Sequence, residues 1–260
     1  MGGKMKNYFD LTGDVALVTG ASSGLGVQFA KALANQGAKI AILARREEKL
    51  KEVKEEIEKE FGVEVDYFTC DVTDFERVVE TVKAVKDRFG KIDILVNNAG
   101  LGITGPTVDY DVNDWKKMMD ININSVFYMA KEVGKVMLEQ KYGRIINLGS
   151  LHSSVVLKGA FLNAYTTSKG AVKMLTKALA VEWAKDGITV NAIGPAYFST
   201  EMTQKKFSTD GFKDTVTAYC PMERPGREGE LDTTLLYFAS RESTYTTGQL
   251  ITVDGGWTSI

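Results

Sequence analysis

The chain alternates. Seven short apolar runs, at residues 15–18, 39–44, 65–69, 92–96, 144–148, 188–193 and 249–253, are separated by longer charged segments. Apolar runs of this length read as strands buried on both faces, and such strands pair in parallel when helices cross over between them. The intervening apolar spacing predicts helices over 25–36, 47–61, 74–89, 111–140, 165–185 and 228–239. No internal repeat and no Pro/Gly-rich linker divides the alternation. The expected fold is therefore α/β: one doubly wound domain with a parallel sheet and helices on both faces. Residues 1–10 read as an N-terminal extension and 11–260 as the single domain.

Composition narrows the partners. Hydrophobic residues make up 44% and charged residues 25% of the 260, the proportions of an ordinary soluble globule. The net charge of −2, without a basic block, argues against nucleic acid and against an anionic membrane. Cys70 and Cys220 are far apart and read as buried thiols in a reducing compartment. A single histidine, His152, leaves no multi-histidine metal site, so no metal is expected. No apolar run reaches membrane-spanning length, and Met1 to Lys6 does not read as a signal peptide. A cytoplasmic protein is expected.

Three stretches carry chemistry. The first strand runs into Thr19-Gly20-Ala21-Ser22-Ser23-Gly24-Leu25-Gly26 and then a helix. Glycines there permit a tight turn and let backbone approach a pyrophosphate at the helix N-terminus, where free N–H groups favour an anion. The second strand ends Leu43-Ala44-Arg45-Arg46, with no acid before Glu47. A carboxylate at that point would accept from a ribose 2′-hydroxyl, whereas a guanidinium suits a 2′-phosphate, which favours NADP(H). Finally, Tyr165 and Lys169 are four apart on a predicted helix and so share one face. A cation beside a phenol favours phenolate, and the pair suits proton transfer to or from an oxygen.

These motifs, with Asn97-Asn98-Ala99-Gly100, Ser150 and Asn191-Ala192-Ile193-Gly194-Pro195, resemble the short-chain dehydrogenase/reductase family from about Leu11 to Trp257. The resemblance implies a seven-stranded Rossmann-type sheet and reversible hydride transfer between a nicotinamide and a carbonyl or secondary alcohol. It implies Tyr165 as general acid/base and Lys169 as the partner that lowers its pKa and holds the nicotinamide ribose. Ser150 becomes the donor to the substrate oxygen, and Asn122, seven after Trp115, the residue holding a relay water, with Asn124 as competitor. Gly20, Ser22, Ser23, Gly24, Leu25, Gly26, Arg45 and Arg46 fall at the phosphates, and Asp71 and Val72 beside the adenine. Asn98, Ala99 and Gly100 line the cleft, and Pro195, Ala196, Phe198 and Thr200 clasp the nicotinamide end. Related proteins assemble as homotetramers through the two long helices, for which Val126, Met129, Val133, Met137 and Met174 are candidates.

Two features depart from the family pattern. The Ser150-to-Tyr165 interval is two longer than expected, which brings Ser153 and Ser154 into consideration, and Pro195 is followed by Ala196 where glycine is expected. For substrate, His152, Phe161 and Tyr197 are candidates, with Asn163 as a further polar group and Lys158, Lys205, Lys206, Arg224 and Arg227 as cations. The stretches 7–13, 197–202 and 253–257 look most like gluconate 5-dehydrogenases, which implies a sugar acid of the gluconate/5-ketogluconate type. A 3-oxoacyl thioester and a steroid or other bulky ketone are the alternatives. A nucleotide-sensing binding protein is the non-enzymatic alternative, and Ser150, Tyr165 and Lys169 together argue against it.

Overall fold

Strands as uniformly apolar as these need cover on both sides, and helices supply it. The computed structural model describes residues 6–198 and 210–260. In it β1 (Val15–Thr19), β2 (Lys39–Ala44), β3 (Val65–Thr69), β4 (Ile94–Asn97), β5 (Gly143–Leu148), β6 (Ile188–Pro195) and β7 (Leu250–Val253) form one sheet. The order is β3-β2-β1-β4-β5-β6-β7, and every neighbouring pair is parallel. The order reverses between β1 and β4. A crevice therefore opens at the carboxyl ends of those strands, where ligands bind in open α/β sheets.

Alternate residues of β1 show how the two layers arise. Ala16 and Val18 pack against α1 (Gly24–Asn35), α2 (Glu47–Phe61) and α8 (Asp232–Ala239), through Phe29, Leu33, Leu50, Ile57 and Phe238. Leu17 faces the other way, towards α3 (Phe75–Phe89), α5 (Ser125–Gln140) and α6 (Asn163–Trp183), through Val82, Met129, Val133, Leu179 and Trp183. A buried polar ladder fixes α6 on the sheet. Asn97 of β4 donates to Asn147 Oδ1 of β5 at 2.9 Å, and Asn147 donates to Thr176 Oγ1 of α6 at 3.0 Å. Unpaired, such amides would each cost on the order of 1–3 kcal/mol, so they specify the register of the helix that carries Tyr165 and Lys169.

The structure differs from the sequence expectation in three places. The helix expected over 111–140 is α4 (Val112–Met119), a π turn at Asp120–Asn124 and then α5. The wide turn offsets the faces of α4 and α5, and such turns recur at functional sites. A helix not expected, α7 (Asp210–Tyr219), lies in the stretch read only as variable, and the helix expected from 228 begins at Asp232. Gly229 has φ +84°, a left-handed backbone that an α-helix cannot continue through. Lastly, of the five candidate interface residues, Val126, Met129, Val133 and Met137 are buried against the sheet and only Met174 is exposed. α5 is covered by its own core, so its apolar face was already committed.

Candidate active site

A cleft of about 580 Å³ runs across the carboxyl ends of the central strands. One end is built by the turn after β1. Gly20 has φ +67°, and a Cβ on Gly26 would stand 2.4 Å from the Gly20 carbonyl oxygen, so only glycine lets α1 start this close to the strand. Gly26 thus acts through packing and does not line the cleft, whereas Gly20, Ser22, Ser23, Gly24 and Leu25 do. Asn98 pins the turn from β4, donating to the Thr19 and Gly20 carbonyls at 2.9 and 3.3 Å. α1 begins without a side-chain cap or an acid in its first turn, leaving its leading N–H groups to the cleft.

The two arginines separate in role. Arg46 donates to Ser22 Oγ at 3.1 and 3.2 Å and to Ser23 Oγ at 2.7 Å, which sets a guanidinium against the glycine-rich turn. Arg45 reaches Asp71 at 3.7 Å and stays largely exposed. Burial raises the Asp71 carboxyl, but hydrogen bonds from Thr73 and the charge of Arg45 outweigh it and hold the pKa below the usual range. Val72, Ala99 and Gly100 line the same cleft, which ends at Pro195, Ala196 and Phe198. Thr200 lies outside the described residues. This fits a dinucleotide: N–H groups and a guanidinium for phosphates, an apolar slot for a base, and a long open trough.

Tyr165 and Lys169 share the floor of the cleft. Burial pushes the Tyr165 phenol up, with a hydrogen bond from Ser150 pulling it back. The Lys169 ammonium lies 6.0 Å from the Tyr165 ring centre, donates to the Leu148 carbonyl at 2.7 Å, and is pushed down to about 8 by burial. The phenol is thus raised by desolvation, and the group that pulls it back is Ser150 and not the expected cationic neighbour. Both groups move towards neutrality, so Tyr165 keeps the proton it has to give. Asn122 is fully buried in the π turn, where its amide exchanges 2.8 Å hydrogen bonds with the Leu101 backbone and donates to Ser168 at 3.0 Å. A Cβ on Gly100 would sit 3.5 Å from Asn122 Oδ1 and 3.7 Å from Lys169 Nζ, which brings both side chains to the same face of one glycine. Asn124 instead donates to Asp120, away from the floor.

Ser150 follows β5 and caps a short turn at Leu151–Ser153. Its Oγ accepts from the His152 N–H at 3.1 Å, which leaves its own proton to donate. Ser153 Oγ accepts from the Ser150 N–H at 3.1 Å, and Ser154 accepts from the exposed Lys173 ammonium at 2.9 Å. Of the three serines, only Ser150 meets Tyr165. Ala196 needs no glycine either: it lies outside the positive-φ region, and its N–H donates to Val253 at 3.1 Å.

The substrate candidates divide. His152 is buried beside Tyr165 (ring centres 6.2 Å apart), and its Nε2 lies 3.4 Å from the Tyr197 hydroxyl. Phe161 is 58% exposed and lines neither described cleft. Asn163 ties down a loop by donating to Gly105 and Thr107. Arg224 forms a two-pronged ion pair with Glu230 at 2.7 and 2.9 Å, drawing that carboxyl down to about 2. The pair borders a second cavity of about 480 Å³ with Tyr197, Met222 and Trp257. Lys158 and Arg227 are exposed, and Lys205 and Lys206 lie outside the described residues. The sequence reading missed Leu101, Lys117 and Ile121, which also line the main cleft; the i,i+4 spacing of the last two was the available signal.

Residues 20–258 match a family model described as enoyl-(acyl carrier protein) reductase. Gluconate 5-dehydrogenase of Gluconobacter oxydans is 38% identical over 252 residues, covering 97% of each chain. A sorbose reductase of Candida albicans is 38% identical over 255 residues, 97% of this chain and 89% of the other. A crystal structure of a gluconate 5-dehydrogenase from Burkholderia cenocepacia, in complex with NADP and tartrate, superposes with a TM-score of 0.93 at 36% identity. That match covers 97% of this chain and 98% of the other.

Proposed function

The chain belongs to the short-chain dehydrogenase/reductase family and acts on alcohol and ketone groups; from that premise we propose that it interconverts a keto-sugar acid and its alcohol with NADP(H). The substrate is of the gluconate/5-ketogluconate type. The observation that carries the reaction is Tyr165 and Lys169 on the floor of a cleft, with Ser150 hydrogen-bonded to Tyr165 and Arg46 against two serines at the far end. When bound, the nicotinamide supplies or takes up the hydride. In the reducing direction Ser150 donates to the substrate oxygen as negative charge develops there, and Tyr165 gives that oxygen its proton. Lys169, held near pKa 8 by burial, is placed to hold the ribose hydroxyls and return a proton to Tyr165. Asn122 is placed to order a water beside Lys169 on that return path.

The NADP(H) preference rests on the Arg45-Arg46 pair and on the NADP found with the Burkholderia relative. A cytoplasmic location rests on the free, buried Cys70 and Cys220. A homotetramer rests on the family and on the exposed apolar Phe127, Met174 and Val181 of α5 and α6; light scattering of a micromolar solution tests it, and a monomer refutes it. An NADPH-oxidation panel tests the substrate. We expect 5-ketogluconate to exceed acetoacetyl thioesters and steroid ketones in kcat/KM, and a tenfold lead by either of those overturns the sugar-acid reading.

One observation favours a second reading. Arg224, the half-buried cation beside Tyr197, is already paired with Glu230, so it meets a substrate carboxylate only by giving up that pair. An uncharged ketose, the class reduced by the Candida relative, makes no such demand. Adding sorbose to the panel separates the two.

A further inference from the structure

His152 has a fixed tautomer, and a consequence follows for what the site can recognise. Its Nδ1 lies 3.1 Å from the Val155 carbonyl oxygen. A carbonyl only accepts, so Nδ1 carries the hydrogen, and with the ring neutral Nε2 is left to accept. The group 3.4 Å from Nε2 is the Tyr197 hydroxyl, which therefore donates its single proton to His152. What remains on the Tyr197 oxygen is lone pairs. The Tyr197 ring cannot readily swing away, because Phe212 and Trp257 hold it at ring-centre distances of 5.1 and 5.3 Å. Tyr197 lines the second cavity, and the His152 ring stands between it and Tyr165. That ring is edge-on to both Tyr165 and Tyr197, and the His152 backbone N–H donates to Ser150 Oγ.

We infer that Tyr197, oriented by His152, is an acceptor-only specificity residue that reads a substrate hydroxyl next to the reacting carbonyl. The substrate class is thereby an α-hydroxy ketone. His152 is a positioning residue: it acts by taking the Tyr197 proton. An acceptor facing a hydroxyl gains a hydrogen bond, while a plain ketone of the same size leaves it facing a methylene. This rests on the ketone-reductase reading above and deepens it by naming the neighbour of the carbonyl.

Two measurements test it, and they fail separately. Because His152 is the only histidine of the 260 residues, ¹⁵N-histidine labelling gives one ring-nitrogen pair that needs no assignment. We expect the pattern of a ring protonated at Nδ1, with the Nε2 signal shifted in Tyr197→Phe. An Nε2-protonated ring overturns the proposal whether or not any ketone is a substrate. The second measurement compares kcat/KM for 2-hydroxycyclohexanone and cyclohexanone. Wild type should favour the hydroxylated ketone, and Tyr197→Phe should reduce that ratio by about five- to tenfold, the value of one hydrogen bond. His152→Ala should reduce the same ratio with Tyr197 still present. Equal losses on both ketones would reveal a structural role and overturn the assignment.

Discussion

The two ends of the sheet give a buried charge different partners. At the amino ends of the strands, Asp14 is fully buried, yet Arg241 donates to both its oxygens, and Lys91 reaches Asp93 at 2.7 Å. Asp93 accepts from the Val15 N–H at 2.8 Å, and Arg144 and Arg241 stack on the Tyr142 ring at 4.6 and 4.5 Å. At the carboxyl ends, Lys169 is equally buried, but its partner is a neutral carbonyl and its ammonium is pushed down to about 8. A buried charge met by an opposite charge holds the fold; one met only by dipoles stays close to neutrality and is ready to exchange a proton. Burial raises the Asp14 carboxyl as well, but Arg241 and Lys91 oppose that shift, whereas at Lys169 burial acts alone.

Deleting a group at each end should sharpen that contrast. Tyr165→Phe removes the proposed proton donor and should lower kcat by about a thousandfold, within the range for general acid–base catalysis. Cofactor affinity, read by fluorescence titration, should change by less than about threefold. A variant retaining a tenth of wild-type kcat would remove Tyr165 from the mechanism. At the opposite end, Asp14→Ala takes from Arg241 its two-oxygen partner and leaves Arg241 and Lys91 to share Asp93 alone. Discounted for the half-exposed Arg241, the loss should be about 2–3 kcal/mol in denaturant unfolding, with kcat/KM of the folded enzyme unchanged within about twofold. A large loss of activity without a loss of stability would erase the distinction.

How far the sequence discloses the molecule follows the same division. The strands at 39–44 and 65–69 and the helix at 47–61 form as expected, because a continuous apolar run or a regular stripe is local information. The glycine-rich turn is equally legible, since its spacing is set by the backbone it must fold. Pairings made at a distance are not. Asp14 and Arg241 are 227 residues apart, and nothing near either one announces the other. Arg224 reads as a free cation until the fold brings Glu230 against it, and Arg45 and Arg46 read alike until the serines claim one of them. The π turn at Asp120–Asn124 widens the helix without a compositional mark, yet it sets where Asn122 and Ile121 face. Chemistry carried by motif was visible in outline; its electrostatics was not, because burial is a property of the whole fold.

Lys169 gives the sharpest test of that electrostatics. Its folded pKa of about 8 lies below the 10.5 of an unfolded lysine, so the native state prefers the neutral amine. The sign follows: this group adds no penalty above about pH 10.5, and the penalty grows as pH falls towards 8, reaching about 3 kcal/mol below it. Lys169→Met keeps the length and drops the charge. It should abolish turnover yet raise unfolding free energy at pH 7 by about 1–3 kcal/mol, with the gain shrinking towards pH 10.5. Loss of stability at pH 7 would place Lys169 with the paired charges of the other end.

The smallest expected effect concerns the two arginines, which repeat the contrast within a few ångströms. Arg46 is held by Ser22 and Ser23 at the start of α1, whereas Arg45 is exposed and loosely paired with Asp71. A preorganised guanidinium gains more from a phosphate than one that must first be ordered, because less side-chain entropy is lost. A charge-assisted contact of this kind is worth about 1.5–3 kcal/mol when well formed. Arg46→Ala should therefore cut the preference for NADPH over NADH by roughly ten- to fiftyfold in kcat/KM, and Arg45→Ala by roughly three- to tenfold. Arg45→Ala also removes the cation from Asp71 Oδ2, leaving an unpaired carboxylate oxygen in the cleft that disfavours a 2′-phosphate. Part of its effect should accordingly be a loss with NADPH, visible as a higher KM for that cofactor. Equal losses with both cofactors in either variant would mean that the arginines position the glycine-rich turn and do not read the phosphate.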